Sequence, residues 1–309
     1  MIGGSIVAIA TPFKNDKIDE KRLKELVAFQ IKNGTNGIVP CGTTGESPTL
    51  SYDEHNHVID ICIEAAKGRV PIIAGTGSNS TSEAVMLTKH AARAGANAAL
   101  VVSPYYNKPT QEGLYQHFKA IADSVKIPVI LYNIAGRTAV NIEPSTVARL
   151  ANDCTNIIGV KEASGSLDQM QMIKHLCPPN FILLSGDDTL TLPILSIGGA
   201  GVISVAANII PQDIAKLIHL YRSGHLKEAQ KMHYRMLPLF KALFLETNPI
   251  PVKTAMGIMG LCSEGLRLPL CPMSGQNRAK LKAALMEYGL LRKKGKKTAA
   301  DAEPAAAQN

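Results

Sequence analysis

The sequence predicts a (β/α)8 barrel of the α/β class with appended C-terminal helices. Eight short apolar runs recur at a steady interval, and segments with a helical spacing of apolar residues lie between them. The chain has 309 residues, of which 46% are hydrophobic. It can therefore bury the large core of such a barrel, which takes ~250 residues as a single domain. Eight successive strand–helix units favour a closed barrel over an open, doubly wound sheet.

The eight runs have the character of parallel strands that are buried on both faces. Each is continuously apolar, whereas a strand with one face in water would alternate apolar and polar residues. The runs are SIVAI (5–9), GIVPC (37–41), PIIAG (71–75), AALVVS (98–103), PVILYN (128–133), IIGVKE (157–162), FILLSG (181–186) and GVISVA (201–206). We expect their carboxyl ends to meet at one rim of the barrel, where the active sites of such folds lie.

Amphipathic helices are predicted between the runs, because apolar residues recur there at i, i+3, i+4 and i+7-type spacing. Three such stretches are 23–31, 58–65 and 114–121. The pairs Ser80/Glu83 and Ser166/Gln169 fit the capping box, in which two residues satisfy each other's backbone N–H groups at a helix start. Helices are therefore expected directly after the third and sixth strands.

The chain is expected to divide into three parts. Residues 1–225 form the catalytic barrel, and the helix after the last strand can open at Pro211. Residues 226–292 carry two or three further helices, which exceed what barrel closure needs, and form an appended helical region. Residues 293–309 have no periodic apolar pattern and are predicted to be a disordered, basic and alanine-rich tail.

Composition argues against several classes of protein. No apolar run approaches the ~20 residues that cross a membrane. The N-terminus MIGGSIVAIATPF resembles a first strand and lacks the features of a signal peptide, so a cytoplasmic location is expected. The net charge is +8, and the segment RKKGKK near the C-terminus carries five positive charges. The body of the chain shows no basic helix and no interleaving of basic and aromatic residues, so no nucleic-acid partner is expected.

Neither a metal ion nor a cofactor is expected. The six cysteines form no C-x-x-C pair and do not cluster with histidines at zinc spacing, so they are predicted to be reduced thiols, most of them buried. His55 and His57 lie two positions apart on a predicted helix and face different directions. Asp187 and Asp188 have no evident third ligand.

Lys161 is the most informative residue of the sequence. It interrupts the apolar run of the sixth strand at its carboxyl end. Burying a lysine is costly unless the amine is paired or neutral. Two interpretations stay open from this residue alone: a structural lysine paired with a neighbouring carboxylate, or a lysine that forms a Schiff base with a ketone.

Four other side chains are expected at the same rim. Tyr132 ends the fifth strand, and its phenol can shuttle protons or can cap the core with its hydroxyl in water. Thr43 and Thr44 lie between two glycines, in a loop whose hydroxyl and N–H groups suit a carboxylate, although a plain turn has the same composition. Arg137 follows the fifth strand and can grip a carboxylate with two hydrogen bonds, or can be a surface arginine.

Five motifs occur together and in order: G-T-T-G-E-S, S-P-Y-Y-N-K-P, Y-N-x-x-x-R-T, G-x-K-E-A-S and L-S-G-D-D. With this combination the chain resembles the dihydrodipicolinate synthase (4-hydroxy-tetrahydrodipicolinate synthase) family of the pyruvate-dependent Schiff-base lyases and aldolases, over roughly residues 1–292. The resemblance implies a barrel lyase that condenses pyruvate with L-aspartate 4-semialdehyde for lysine and diaminopimelate biosynthesis. It also implies a homotetramer, built as a dimer of dimers.

The resemblance assigns roles to individual residues. The implied catalytic residues are Lys161 as the Schiff-base lysine, Tyr132 as proton donor and acceptor, and Thr43 and Tyr106 as the rest of a proton relay, with Tyr106 acting in a neighbouring subunit. The implied substrate contacts are Thr44 and the backbone of Ile203 for pyruvate, Arg137 for the semialdehyde carboxylate, and Gly186 as part of the lining. An allosteric lysine site at the subunit interface is implied at Ser47, His55, Asn79, Glu83 and Tyr105.

The sequence departs from the family pattern in two places. The family commonly has Y-N-x-P-x-R-T after the fifth strand, whereas Ala135 stands here in place of the proline and Gly136 follows it. This exchange predicts a more flexible loop around Arg137. Pro48 and Tyr52 replace the alanine and histidine that are common in feedback-sensitive bacterial members, which leaves inhibition by lysine undecided.

Two alternative functions stay open. An aldolase that acts on N-acetylneuraminate or on a 2-keto-3-deoxy sugar acid would share Lys161 and Tyr132. Arg137 favours a short aldehyde with its own carboxylate over a polyol chain. A barrel without catalytic activity, serving as a binding or regulatory scaffold, is disfavoured because Thr43 and Tyr106 accompany the lysine and the tyrosine.

Overall fold

The computed structural model of the protein describes residues 2–291, and an eight-stranded sheet forms its centre. The strands are β1 (Gly4–Ala8), β2 (Gly37–Val39), β3 (Ile73–Gly75), β4 (Ala98–Val102), β5 (Val129–Asn133), β6 (Ile157–Glu162), β7 (Ile182–Ser185) and β8 (Gly201–Ser204). Each coincides with one predicted apolar run. The predicted tail at 293–309 lies outside the described residues.

One main helix follows each barrel strand and three more lie in the C-terminal part, while the described chain also has a four-residue helical turn, Ala135–Thr138, and four short 3-10 helices. The first eight are α1 (Glu20–Lys32), α2 (Tyr52–Ala66), α3 (Thr81–Ala94), α4 (Gln111–Asp123), α5 (Pro144–Asp153), α6 (Leu167–Leu176), α7 (Thr191–Ser196) and α8 (Pro211–Arg222). The last three are α9 (Leu226–Ala242), α10 (Ile250–Ile258) and α11 (Gly275–Tyr288). Within residues 2–291, none of these helices is both long enough and apolar enough to span a membrane.

The sheet closes on itself. The strand order is β2-β1-β8-β7-β6-β5-β4-β3, and every neighbouring pair is parallel. The two ends meet at a parallel bridge between Ile38 and Ile72. There the Ile38 N–H donates to the carbonyl of Pro71 at 3.0 Å. The predicted (β/α)8 barrel is therefore confirmed, and the carboxyl ends of all eight strands meet at one rim.

Side chains on each strand alternate between the inside of the barrel and the layer under the helices, as the pleat of a strand requires. On β5, Ile130 and Tyr132 belong to the inner apolar cluster, whereas Leu131 belongs to the outer one. On β6, Val160 belongs to the outer cluster. Lys161, the next residue, therefore points into the barrel.

The helix starts agree only in part with the predicted capping boxes. The hydroxyls of Ser80 and Ser166 accept hydrogen bonds from the N–H three residues later, at 3.5 Å and 3.2 Å, as predicted. The reciprocal half of each box is wrong, because the side chains of Glu83 and Gln169 bond elsewhere. Gln169 donates to the buried Glu162 at 2.8 Å, so this side chain serves the core and not the helix start.

Two further features escaped prediction. A hairpin of two-residue strands, Phe13–Lys14 and Lys17–Ile18, follows β1 and is too short to leave a periodic pattern. A complete capping box forms at the start of α2 between Ser51 and Glu54. That box carries the same S-x-x-E spacing as the predicted ones, so the sequence contained the signal.

The three C-terminal helices pack onto the barrel and share its core. Met236 and Phe240 of α9, Val252 of α10 and Leu281 of α11 belong to one apolar cluster with residues of β1 and α1. The hydroxyl of Tyr288 in α11 donates to Asp213 in α8 at 2.6 Å. This part of the chain therefore reaches back to the barrel instead of standing apart from it.

Candidate active site

The centre of the candidate site is a pair of residues on adjacent strands. Tyr132 of β5 and Lys161 of β6 face each other in the parallel register. Lys161 Nζ lies 4.0 Å from the centroid of the Tyr132 ring. Lys161 is 6% exposed and Tyr132 is 5% exposed, so both are buried at the mouth of the barrel. A primary amine and a phenol thus lie side by side, largely shielded from water.

The carboxylate next to Lys161 in sequence does not pair with it. Glu162 follows on the strand and therefore points to the opposite face. Its oxygens accept hydrogen bonds from Asn133 Nδ2 at 3.1 Å, from the Ser164 N–H at 2.7 Å and from Gln169 Nε2 at 2.8 Å. Lys161 forms no ion pair within residues 2–291, so the structure gives no support to a purely structural, carboxylate-paired lysine.

Gly186 provides room for the lysine. It follows β7, and its N–H donates to the carbonyl of Glu162 at 2.7 Å, which holds its backbone against β6. A Cβ at this position would lie 3.1 Å from Lys161 Cε and 2.5 Å from the Cβ of Ala163. Any larger residue would therefore push against the lysine side chain.

The loop after β2 turns sharply and carries Thr43 and Thr44. Cys41 and Glu46, on either side of the two threonines, have left-handed backbone conformations with φ of 54° and 56°. The Glu46 carboxylate is fully buried and pairs with Lys253 of α10, with 2.5 Å between Oε1 and Nζ. Burial lowers the pKa of Lys253, although Glu46 acts in the opposite direction. A buried ion pair therefore ties the loop to the C-terminal helices.

Asn248 connects this loop with the segment after β5. Its Nδ2 donates to Thr44 Oγ1 at 3.1 Å, and its backbone carbonyl accepts a hydrogen bond from Arg137 Nη2 at 3.1 Å. Asn248 is 5% exposed, and its Oδ1 has no hydrogen-bond partner within the described residues. The predicted loop around Arg137 is in fact a helical turn, Ala135–Thr138, closed by backbone hydrogen bonds to Ile134.

Two adjacent aspartates after β7 have different surroundings. Asp188 is buried and accepts hydrogen bonds from Ser204 Oγ at 2.5 Å and from the N–H groups of Val205 and Ala206 at 3.1 Å and 2.9 Å. It thereby fixes the end of β8, although its burial raises its pKa. Asp187 is half-buried beside the Lys161 cavity, and burial raises its pKa while the charge of Lys161 lowers it.

Most of the predicted site residues meet around one small cavity of about 60 Å³. The predicted residues that line it are Thr43, Thr44, Tyr132, Arg137, Lys161 and Gly186. Ile203 belongs to the inner apolar layer of the barrel and does not line this cavity. Tyr106 lies outside it as well, because it is 89% exposed, at a left-handed φ of 74°.

A larger cavity of about 580 Å³ extends from the Lys161 site along the protein surface. Four of the five residues proposed for an allosteric site line it, namely Ser47, His55, Glu83 and Tyr105. Asn79 does not, and its carbonyl instead accepts a hydrogen bond from Asn107 Nδ2 at 2.9 Å. Burial lowers the pKa of His55 to about 4. A hydrogen bond with Glu83 raises the pKa of Tyr52, which also lines this cavity.

No cluster of three or more His, Cys, Asp or Glu side chains suited to a metal ion occurs in the described part of the chain. The six cysteines are all free thiols, and every one except Cys271 is buried. Burial raises the pKa of Cys62 to about 12 and that of Cys177 to about 11, which makes these thiols poor nucleophiles.

The sequence reasoning missed the contribution of the C-terminal region to the site. Asn248 and Lys253 lie in the segment Thr-Asn-Pro-Ile-Pro-Val-Lys, where two polar residues flank an apolar, proline-rich stretch. That pattern was a usable signal, because a lysine among apolar helix residues demands a partner. Its partner Glu46 lies some two hundred positions earlier, and no local pattern identifies it.

Comparison with known proteins gives consistent matches along the chain. A sequence model of the Dihydrodipicolinate synthetase family matches residues 1–288. A 4-hydroxy-tetrahydrodipicolinate synthase of Endomicrobium trichonymphae is 60% identical over 292 residues, which cover 94% of this chain and 100% of that protein. The chloride-inhibited dihydrodipicolinate synthase of Acinetobacter baumannii, crystallised with pyruvate, is 46% identical with a TM-score of 0.92, covering 94% of this chain and 100% of that chain. DHDPS of Cyanidioschyzon merolae, crystallised with lysine bound, is 42% identical with a TM-score of 0.91, covering 94% and 99%.

Proposed function

The chain belongs to the dihydrodipicolinate synthetase family, and we propose that it condenses pyruvate with L-aspartate 4-semialdehyde through a Schiff base on Lys161. This is the reaction of a 4-hydroxy-tetrahydrodipicolinate synthase, a lyase of lysine and diaminopimelate biosynthesis. The observation that carries the proposal is the Lys161 amine, which is buried, has no carboxylate partner within residues 2–291, and lies 4.0 Å from the Tyr132 ring.

The reaction begins at the ketone of pyruvate. The neutral amine of Lys161 attacks the C2 carbonyl, and loss of water leaves a protonated imine. This imine withdraws electrons, so C3 loses a proton and the enamine forms. The enamine carbon then attacks the aldehyde of the second substrate, and the resulting alkoxide takes a proton. Tyr132 supplies that proton, because its phenol lies beside the lysine.

Binding of the two substrates falls to residues at the ends of the second, fifth and eighth barrel strands. Thr44 and the backbone of Ile203 contact pyruvate, while Arg137 receives the carboxylate of the semialdehyde. The hydrogen bonds of Asn248 to Thr44 and Arg137 support this assignment, because they hold both groups toward one cavity. An aldolase acting on a polyol substrate would have no use for the arginine.

We further propose that the enzyme works as an oligomer, a homotetramer built as a dimer of dimers. The support is Tyr106, which is 89% exposed, lies at φ 74° and lines neither of the two cavities of its own subunit. In a dimer, Tyr106 of one subunit completes the proton relay of Thr43 and Tyr132 in the other. A cytoplasmic location stays a prediction.

We also propose that L-lysine binds in the cavity of about 580 Å³. Glu83 there offers a carboxylate to an ammonium group, and Ser47, His55 and Tyr105 line the same space. Ser78 Oγ already donates to Glu83 at 2.7 Å, so lysine has to compete for this carboxylate. Calorimetric titration with lysine tests the idea, and a Glu83→Gln variant that binds lysine as tightly as the wild type contradicts it.

The Schiff base is tested by trapping. Borohydride reduction in the presence of pyruvate is expected to leave a stable pyruvyl adduct on Lys161, located by mass spectrometry of peptides. No adduct, or an adduct on another lysine, contradicts the mechanism. A coupled assay that offers pyruvate with the semialdehyde, beside one for cleavage of N-acetylneuraminate, separates the proposed reaction from that of the related sugar-acid aldolases.

A further inference from the structure

One carboxylate borders the Lys161 cavity without an assigned role. Among the described residues that line this cavity, Asp187 is the only acidic one. It follows Gly186, whose backbone lies against the Lys161 side chain. The cavity therefore presents one carboxylate, Asp187, and one guanidinium, Arg137, in addition to the reactive amine.

The backbone of Asp187 is fixed, whereas its carboxylate is available. Ser185 Oγ donates to the Asp187 carbonyl at 2.7 Å and accepts a hydrogen bond from the Asp187 N–H at 3.2 Å. The Asp187 carboxylate itself forms no hydrogen bond or ion pair within residues 2–291. Asp188 is the opposite case, since Ser204 and two backbone N–H groups occupy its oxygens. Of the two aspartates, only Asp187 can serve a ligand.

A half-buried carboxylate that has no hydrogen bond or ion pair within residues 2–291 favours the binding of a cationic group. Burial raises the pKa of Asp187, and the charge of Lys161 only partly compensates. A ligand that brings a positive charge to this place would relieve the cost of burial and form a strong, charge-assisted hydrogen bond. The ligand must also carry a carboxylate to engage Arg137.

We propose that Asp187 binds the α-ammonium group of L-aspartate 4-semialdehyde and thereby selects amino-acid aldehydes over simple carboxylic aldehydes. This assignment rests on the function proposed above. The semialdehyde carries its ammonium and carboxylate groups on one carbon. Arg137 and Asp187 therefore form a complementary pair for the two charges, with the aldehyde left free to face the enamine on Lys161.

This placement of the ammonium group suits the reaction, because the substrate nitrogen becomes an atom of the product ring. That nitrogen has to displace Lys161 from the carbon that was C2 of pyruvate. The substrate ammonium group first gives up a proton, and the electron pair freed on its nitrogen forms the new C–N bond, while the pair of the old bond returns to Nζ. Two protons pass from the substrate nitrogen to Lys161, so one iminium and one ammonium group stand on each side of the exchange. An ammonium group held beside Lys161 by Asp187 starts this step from close range.

Two aldehydes that differ only in the amino group test the proposal. L-aspartate 4-semialdehyde has the group, and succinate semialdehyde lacks it. In an Asp187→Asn variant of the full chain, KM for the first is expected to rise about tenfold, because a charge-assisted bond is lost. The inhibition constant of succinate semialdehyde and KM for pyruvate are expected to change by less than about twofold, because neither ligand uses the carboxylate.

Two variants serve as references. Arg137→Ala is expected to weaken both aldehydes, because both carry a carboxylate. Asp123→Asn removes an exposed carboxylate at the far end of α4, paired with Lys119, and is expected to change neither constant. If Asp187→Asn does not fold, as judged by circular dichroism, Asp187→Ser replaces it and has to give the same separation between the aldehydes.

Asp187 does not recognise the ammonium group if its variants bind L-aspartate 4-semialdehyde as well as the wild type does. The same conclusion follows if they weaken both aldehydes equally. Failure of the underlying function looks different, because the wild-type chain would then give no pyruvyl adduct on Lys161 and no turnover of the semialdehyde. Failure of the Asp187 assignment is therefore seen in the Asp187 variants, whereas failure of the underlying function is seen in the wild-type protein.

Discussion

Lys161 and Glu162 show how much one position along a strand can matter. Both are ionisable and both are buried, yet they lie on opposite faces of β6. Asn133, Gln169 and the Ser164 N–H satisfy Glu162 fully, and none of these groups reaches Lys161. The amine therefore keeps its electron pair available for a substrate once it loses its proton.

Gly186→Ala is expected to damage imine formation while the fold is retained. The new methyl group would lie 2.5 Å from the Ala163 Cβ and 3.1 Å from Lys161 Cε, so the lysine must move. A displacement of about 1 Å in an active site costs on the order of a hundredfold in rate. The measurement is the rate of borohydride-trapped adduct formation with pyruvate. Gly275→Ala is the control, because no atom lies within 4 Å of a Cβ there. An alanine variant at 186 that forms the adduct at the wild-type rate contradicts the close approach.

At the residue scale, the sequence predicted the groups that stand at strand ends. Lys161, Tyr132 and Thr43 each follow from an apolar run and from the rim at which such strands finish. Asn248 could not be placed in this way, because its contacts with Thr44 and Arg137 join segments far apart in the chain. Periodicity identifies an element, but it carries no information about which distant element lies against it.

Among the elements, the loop after β2 depends on α10. Its Glu46 carboxylate and the Lys253 amine are both fully buried, and the amine also donates to the carbonyl of Thr11 at 2.9 Å. Glu46 Oε2 in turn accepts a hydrogen bond from the Arg267 N–H at 3.1 Å. The loop that carries Thr43 is thus held from the C-terminal side of the chain.

Lys253→Met is expected to lower the free energy of unfolding by about 3–5 kcal/mol, because it leaves the Glu46 charge buried without a partner. Urea unfolding at neutral pH measures the loss. The double variant Lys253→Met/Glu46→Gln removes both charges and is expected to recover part of it. Lys119→Met provides the control, since it breaks only an exposed pair with Asp123. Equal stability of the two lysine variants would mean that the buried pair contributes nothing.

At the element scale, the strands could be predicted from the sequence, whereas the hairpin after β1 and the side-chain contacts at the helix starts could not. Continuous apolarity is local, so all eight strands were identified within their own short windows. The hairpin Phe13–Lys14/Lys17–Ile18 is shorter than any such window. The side chains of Gln169 and Glu83 fitted a local cap. In the structure, however, Gln169 donates to the buried Glu162, and Glu83 accepts a hydrogen bond from Ser78.

For the molecule as a whole, buried histidines contribute to a pH dependence of stability, because burial lowers the pKa of three of them, His55, His117 and His233. Burial lowers the pKa of His55 and of His117 to about 4 from the ordinary 6.5. Between these values the unfolded chain binds more protons than the folded one, so the free energy of unfolding falls as the pH falls from 6.5 to 4. His55 and His117 each contribute about 3 kcal/mol to this loss by pH 4. Urea unfolding across the pH range measures it.

The control for this pH dependence is a histidine on the surface. His117→Gln is expected to flatten the fall in stability between pH 6.5 and pH 4, whereas His219→Gln, at an exposed position in α8, is expected to leave the slope unchanged. If both variants show the wild-type slope, His117 is protonated as readily in the folded chain as in the unfolded one, and the inferred effect of burial is wrong.

The assembly is tested by mixing two defective subunits. Lys161→Ala is expected to be inactive and Tyr106→Phe to be strongly impaired. If Tyr106 acts in a neighbouring subunit, a mixed dimer contains one site with both native residues, so co-expression of the two variants restores activity. The coupled assay on the purified mixed oligomer measures it. Activity no higher than that of Tyr106→Phe alone means that the tyrosine serves its own chain or no chain.

The ion pair between Glu46 and Lys253 also has a consequence for the order in which the chain acquires its contacts during synthesis. The ribosome completes β8 at Ser204, and domains form from the N-terminus onward during synthesis at roughly 5–20 residues per second. A nascent chain of that length has every strand of the barrel, but its threonine loop still lacks Asn248 and Lys253. The loop of Thr43 and Thr44 therefore gains these contacts only after Asn248 and Lys253 have been synthesised, and shorter nascent chains carry Lys161 beside a loop that lacks them.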